Sequence, residues 1–390
     1  MSARLTSSAL IALVMMAPTL AHAQSETRIS GDVYAGVGYS ANPYGGVSGG
    51  SAQGSVYVQT GIRPKVEIKT QNSTFALAGD VQIQQYTHRY GTVDNYNVQL
   101  SYDGKPSEHL TTQLQLAYSN SRAGILSSSL FTDPGDTDPT GTDIGLLGTG
   151  TRKQRYSAQG GLGFQPSDRD KINVTAYFVA SRYGVVTGNY DLYGGSIDYL
   201  RRLSSHAQIG IHADTSFTYY QGGAGNTKVY SLQASGTLDL SEAWKLSARL
   251  GGSALDRNSG GLDIAFSGNI SACHKGGRTE FCLVANRATL PSAVTGTRVQ
   301  TSVEANYKRR LTEHTNLTAR VGYTDAELNG PLLNIPNRYL LSSVGLDRTV
   351  SKRVVLSSSL FYRSIFGSNG TRGDDYGGQI GVVLKFGDLQ

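Results

Sequence analysis

Tyr376-Gly-Gly-Gln-Ile-Gly-Val-Val-Leu-Lys-Phe386, near the end of the chain, alternates residue by residue. Tyr376, Gly378, Ile380, Val382, Leu384 and Phe386 fall on one face, and Gly377, Gln379, Gly381, Val383 and Lys385 on the other. A period of two marks an extended strand, because successive side chains leave a pleated backbone on opposite sides. One face here is apolar and the other is polar. In a soluble sandwich the apolar face would meet a core. In a membrane barrel it meets lipid, and the polar face lines the lumen.

The same period recurs upstream. It predicts strands near 28–40, 55–69, 73–86, 95–103, 110–122, 154–165, 171–183, 189–201, 207–220, 228–240, 244–254, 297–308, 316–323, 338–348 and 354–365, which makes 16 with the last. Val33 and Val37 face outward in the first, and Ile172, Val174, Ala176 and Phe178 in the seventh. In the eighth the parity slips at Gly194-Gly195, where a bulge would put Leu192, Ile197 and Tyr199 outward together. The connections alternate in length. Thr70-Gln-Asn-Ser73, Pro166-Ser-Asp-Arg-Asp170 and Leu203-Ser-Ser-His206 belong to a short polar set. The other set includes long segments near 41–54, 123–151, 255–296, 324–337 and 366–375. Short periplasmic turns and longer outside loops are the habit of outer-membrane barrels. The expectation is therefore an all-β, transmembrane, antiparallel up-and-down barrel of about 16 strands with periplasmic termini.

Composition agrees. The chain has 48 Gly, 23 Tyr, one Trp and 16% charged residues, against about 7% Gly and about 25% charge in an average chain. Tyr39, Tyr86, Tyr102, Tyr118, Tyr183, Tyr219, Tyr220, Tyr307 and Tyr323 fall at strand ends, where aromatic girdles would place them. Arg4, the apolar run Ala9–Ala17 and Ala21-His-Ala23 read as a secretory signal peptide over 1–23, leaving 24–390 as the barrel. The net charge of +6, or +5 without Arg4, is spread along the chain and gives no case for nucleic-acid binding. The expected surroundings are outer-membrane lipid and lipopolysaccharide, with the barrel-assembly machinery as an earlier partner. No folded plug fits between the cut and the first strand, which speaks against an energy-coupled nutrient receptor.

Cys273 and Cys282 in an exported chain predict a disulfide, placed in the large outside loop 255–296. Leu262, Ile264 and Phe266 alternate just before it, as in a hairpin standing above the membrane. The inward faces carry both signs. Lys65, Glu67, Asp80, Arg155, Asp214, Arg249, Glu304, Arg320 and Lys385 are the candidate lumen-lining residues. Inward Tyr34, Tyr57 and Tyr177 offer rings on which a sugar chain would stack.

No cofactor, metal site or catalytic set is expected. His109, His206 and His314 fall in periplasmic turns, His88 and His274 near the outside, and no Ser-centred motif accompanies them. Asp133, Asp136, Asp138 and Asp143 gather in a Pro- and Gly-rich stretch that reads as a solvated loop rather than a calcium site. Within 123–151, Ile125-Leu126, Leu130-Phe131 and Ile144-Gly-Leu-Leu147 are poorly placed in open water, so this segment is expected to fold inward and narrow the pore.

One set of turns is more specific. Tyr199-Leu-Arg-Arg-Leu-Ser-Ser-His206 is echoed by Tyr307-Lys-Arg-Arg-Leu-Thr-Glu-His-Thr-Asn-Leu317. Leu346-Asp-Arg-Thr-Val-Ser-Lys-Arg353 and Leu238-Asp-Leu-Ser-Glu-Ala-Trp244 are looser copies. The pattern resembles the β-barrel porin type 2 family of proteobacterial outer-membrane proteins, some of whose members are associated with capsule or exopolysaccharide synthesis genes. That resemblance implies a passive conduit for small solutes, or a barrel that serves polysaccharide synthesis or export with polysaccharide as its partner. It brings no catalytic residue. A secreted soluble all-β protein is the remaining alternative.

Overall fold

A computed structural model describes residues 25–44, 54–122, 143, 146, 150–184, 188–222, 225–257, 261–294, 296–328, 336–367 and 372–387. The signal-peptide reading and its cut lie outside them, as do the apolar pairs 125–126 and 130–131. Eighteen antiparallel strands run in chain order: β1(Glu26–Ser40), β2(Ser55–Lys69), β3(Ser73–Tyr86), β4(Thr92–Ser107), β5(Leu110–Arg122), β6(Arg152–Phe164), β7(Asp170–Tyr183), β8(Asn189–Arg202) and β9(Ala207–Gln221), then β10(Thr227–Asp239), β11(Trp244–Arg257), β12(Gly261–Lys275), β13(Thr279–Ser292), β14(Gly296–Thr312), β15(Thr315–Leu328), β16(Pro336–Ser351), β17(Val354–Gly367) and β18(Arg372–Gly387). Each pairs with its neighbours in sequence. β1 also pairs with β18, from Ser30↔Gly387 to Ser40↔Gly377, which closes the sheet.

The barrel has 18 strands, not 16. The two additional strands, β12 and β13, occupy the segment expected to be a large outside loop. They were hard to read because β13 puts Arg287 on its outward face and carries Pro291, so its alternation is broken. The turn between them is only Gly276-Gly-Arg278. It lies at the end that holds both termini, so the Cys273–Cys282 bridge forms at that end and not in an outside loop. His274 moves with it, and its ring lies 4.9 Å from that of Trp244.

At the end with the termini every connection has two to five residues. At the opposite end they run from three to 29. We call these the turn end and the loop end. Large stretches of 324–337 and 366–375, expected as loop, are strand. The ladders on both sides of β8 run without a shift, so there is no bulge at Gly194-Gly195. Tyr193, Ile197 and Tyr199 share the outward face, and Leu192 faces the lumen.

Outward residues are apolar and open, with Leu232, Leu360 and Ile380 each above 60% exposed. On β7 the outward positions are Asp170, then Ile172, Val174, Ala176, Phe178 and Ala180, then Arg182. Asp170 accepts from Tyr199 Oη at 2.7 Å, and Arg182 pairs with Asp191 at 2.5 Å. Twelve residues at about 3.3 Å, tilted about 40°, rise roughly 30 Å, enough to cover an apolar band of about 25 Å. Outward charge pairs such as Arg152–Asp94, 2.6 Å apart, mark the loop-end edge of this band. A closed wall with its apolar side outward pairs neighbouring strands within lipid, where the free edges of an open sheet would be costly.

Candidate functional site

The inward faces build the lumen, and its charges lie in pairs along the wall. On β2, Glu67 stands 2.7 Å from both Lys65 and Lys69, its neighbours on the same face. On β3, Asp80 accepts from Tyr34 Oη at 3.2 Å and lies 3.6 Å from Arg63. A larger group spans β7 to β11. Tyr177 donates to Asp214 at 2.9 Å, while Asp198 meets His212 Nδ1 at 2.8 Å and Arg249 at 3.2 Å. On β14 and β15, Arg320 donates to Glu304 at 2.5 Å, and Glu304 also accepts from Asn306 at 2.6 Å. Arg155 on β6 and Lys385 on β18 have inward parity. The nine candidate residues thus do not converge on one site. They divide among separate clusters, and paired opposite charges leave a lumen of mixed sign.

The inward tyrosines are held in the wall. Tyr34 faces Gly61, Tyr57 faces Gly38 and Tyr177 faces Gly194, each as a direct cross-strand pair. A Cβ at any of these glycines would collide with the tyrosine ring. A ring laid over a glycine fills the missing side chain and shields the ladder. Each hydroxyl is also engaged: Tyr57 donates to Gln379 at 3.0 Å, and the other two meet Asp80 and Asp214.

The loop end of the lumen is packed. Tyr57, Tyr86 and Val93 form one buried cluster, with Tyr44 and Tyr90 against it. Leu146, Tyr183, Tyr190 and Ala293 form a second, with Leu192, Tyr220 and Val294. Tyr86, Tyr183 and Tyr220 therefore serve the lumen rather than an aromatic girdle, whereas Tyr39, Tyr219 and Tyr323 are outward and 40–50% exposed. Near the first cluster Arg363 pairs with Asp375 at 2.7 Å. Asp375 accepts from Ser40 Oγ and the Asn42 amide, and Arg363 donates to the Pro43 carbonyl.

The second cluster contains the decisive contact. Asp143 and Leu146 belong to the β5–β6 connection, yet they sit against β13 and β14, strands on the far side of the barrel. Asp143 lies 2.8 Å from Arg298 and accepts from Ser292 Oγ and the Ala293 amide, the latter at 2.6 Å. Arg298 is 1% exposed. The reading of Asp143 as part of a solvated loop is corrected: the carboxylate is buried and ion-paired. Arg298 was visible in the sequence as an inward position of β14. Nothing in the sequence named its partner.

No protein-family model and no curated protein matches the chain. Solved structures similar in architecture include the siderophore receptor PirA from Pseudomonas aeruginosa, at 12% identity and a TM-score of 0.42, covering 94% of this chain and 81% of that one. PirA from Acinetobacter baumannii matches at 8% identity and 0.46, with the same coverage. Pseudomonas aeruginosa OpdQ matches at 10% identity and 0.44, covering 93% of this chain and 98% of that one. At these scores nothing about this chain's substrate or mechanism follows from the likeness.

Proposed function

We propose that the chain is a passive, porin-like conduit for small solutes in the outer membrane of a Gram-negative bacterium, narrowed at its outer mouth by segment 123–151 and without enzymatic activity. Barrels of 16–18 strands are too wide for wall side chains to fill and leave an aqueous channel. The observation that carries the reading is the Asp143–Arg298 pair, which ties the β5–β6 connection across that channel. Charges of both signs are spread along the wall, several of them paired, which suits a weakly selective pore for small polar solutes better than a single high-affinity site.

Liposome swelling in sugars of increasing size tests this reading. Uptake of monosaccharides with a sharp fall for oligosaccharides is expected, and no swelling in any sugar contradicts it. The second reading, membership of the β-barrel porin type 2 family with a role in exopolysaccharide synthesis or export, rests on the turn motifs. The inward tyrosines give it little help, because their rings cover glycines and their hydroxyls are engaged. Loss of surface glycan in a strain lacking the gene, with no solute flux through the purified protein, would favour it.

A further inference from the structure

The wall has one weak seam. The β12–β13 ladder runs from Lys275↔Glu280 to Gly268↔Arg287, eight rungs, and is the shortest in the barrel among the described residues. Both strands continue past it, β12 to Gly261 and β13 to Ser292, without pairing to each other. Their other neighbours stay in register: β12 with β11 as far as Gly261, and β13 with β14 as far as Ser292. Pro291 contributes to the break, because it has no N–H to give to a continued ladder.

Above the break the two strands overlap. Thr289 belongs by parity to the outward face of β13, yet its Oγ1 lies 3.1 Å from Ser253 Oγ on the inward face of β11. The upper part of β13 therefore runs inside the wall, behind β12. The tip of the β13–β14 hairpin continues inward, where Ala293 joins the cluster of Leu146, Tyr183 and Tyr190. β12 remains outside, with Leu262, Ile264 and Phe266 between 57% and 79% exposed. On the lumen side, the directly paired Val229 and Leu255 are buried beside the overlap.

The break begins toward the loop-end edge of the lipid band: Gly268, about 18 Å above the end of β12, pairs with Arg287, whose outward guanidinium lies 2.8 Å from Glu327. The seam thus opens toward the outer leaflet and leads to the cluster around Leu146 at the mouth of the lumen. The geometry points to a lateral passage between β12 and β13, through which the acyl chain of a membrane-resident amphiphile moves between the outer leaflet and the cluster around Leu146. Such a substrate is of a different class from the polar solutes of the aqueous pore, and its route does not depend on the pore conducting.

The probe is a diazirine-bearing palmitate, present in trace amount in vesicles that hold the full mature protein. After illumination, adducts are mapped by mass spectrometry. Adducts on the lumen side, at Ser253, Leu255 or Leu146, are expected together with those on outward Ile264 and Phe266. Labelling confined to outward residues, such as Leu232, Leu360 and Ile380 as well as Ile264, would overturn the passage. A second arm locks the overlap with Ser253→Cys and Thr289→Cys. Lumen-side labelling should fall at least ten-fold once the new disulfide forms and return on reduction, with the reduced wild-type protein as control. Unchanged lumen-side labelling in the locked protein would also overturn it. Conductance of the same preparation separates this outcome from the fate of the pore reading.

Discussion

Asp143 Oδ1 lies 2.8 Å from Arg298 Nη1, although one residue belongs to the β5–β6 connection and the other to β14 across the barrel. Both side chains are at least 95% buried, and the carboxylate collects the Ser292 hydroxyl and the Ala293 amide as well. Removing one partner leaves a buried charge without compensation, which costs about 3–5 kcal/mol in comparable pairs. Asp143→Asn or Arg298→Ala should therefore release the crossing segment, and limited proteolysis of intact vesicles should then cut within 123–151 much faster than in the parent. Asp143→Asn combined with Arg298→Met should be less destabilised than either single change. Equal resistance to protease in all four proteins would show that the pair does not hold the segment.

Tyr177 over Gly194 predicts a second effect. Gly194→Val drives a side chain into the ring, so Tyr177 must move and give up its bond to Asp214. Overpacking of this kind costs about 1–3 kcal/mol, visible as a lower urea midpoint in detergent. Adding Tyr177→Ala should recover much of the loss, and no recovery would mean that the glycine is needed for another reason.

The lipid face gives a third. Leu360 is outward and 70% exposed, while Ser359 beside it faces the lumen. Leu360→Arg should destabilise the protein in lipid by about 2–4 kcal/mol if the site lies near mid-bilayer. Ser359→Arg should be nearly neutral. Similar effects from the two changes would contradict the assignment of faces, as would release of the protein from membranes by carbonate.

Cys273 and Cys282 face one another across the shortest ladder, at the turn end. A bridge closing so small a ring adds roughly 2–3 kcal/mol in the chain-entropy account. Cysteines that resist alkylation until reduced, and a lower unfolding midpoint after reduction, are the expected results. Thiols that alkylate without reductant would refute the bridge.

Much of this architecture could be read from the chain. β2, β3 and β5 have the spans that their alternation predicts, because the middle of each keeps apolar residues on one face and polar turn residues bound its ends. Reading failed where a second demand overrode the period. Arg287 and Pro291 serve a strand that leaves the wall, so β13 looked like loop. Gly194 accommodates the ring of Tyr177, so a glycine pair that reads as a bulge is unbroken ladder and Leu192 faces the lumen. Among the lumen residues parity gave direction only. That Asp214 would meet Tyr177 depends on the register across β8, and that Asp143 would meet Arg298 depends on the closure of the barrel; periodicity within one strand is blind to both.

An aqueous pore narrowed by a segment tied across it has a direct electrical signature in planar-bilayer recording. The purified protein should give stable ohmic steps of porin size, and deletion of 125–147, which removes both Asp143 and Leu146, should enlarge them. Absence of conductance from the parent and from the deletion alike would rule out such a pore.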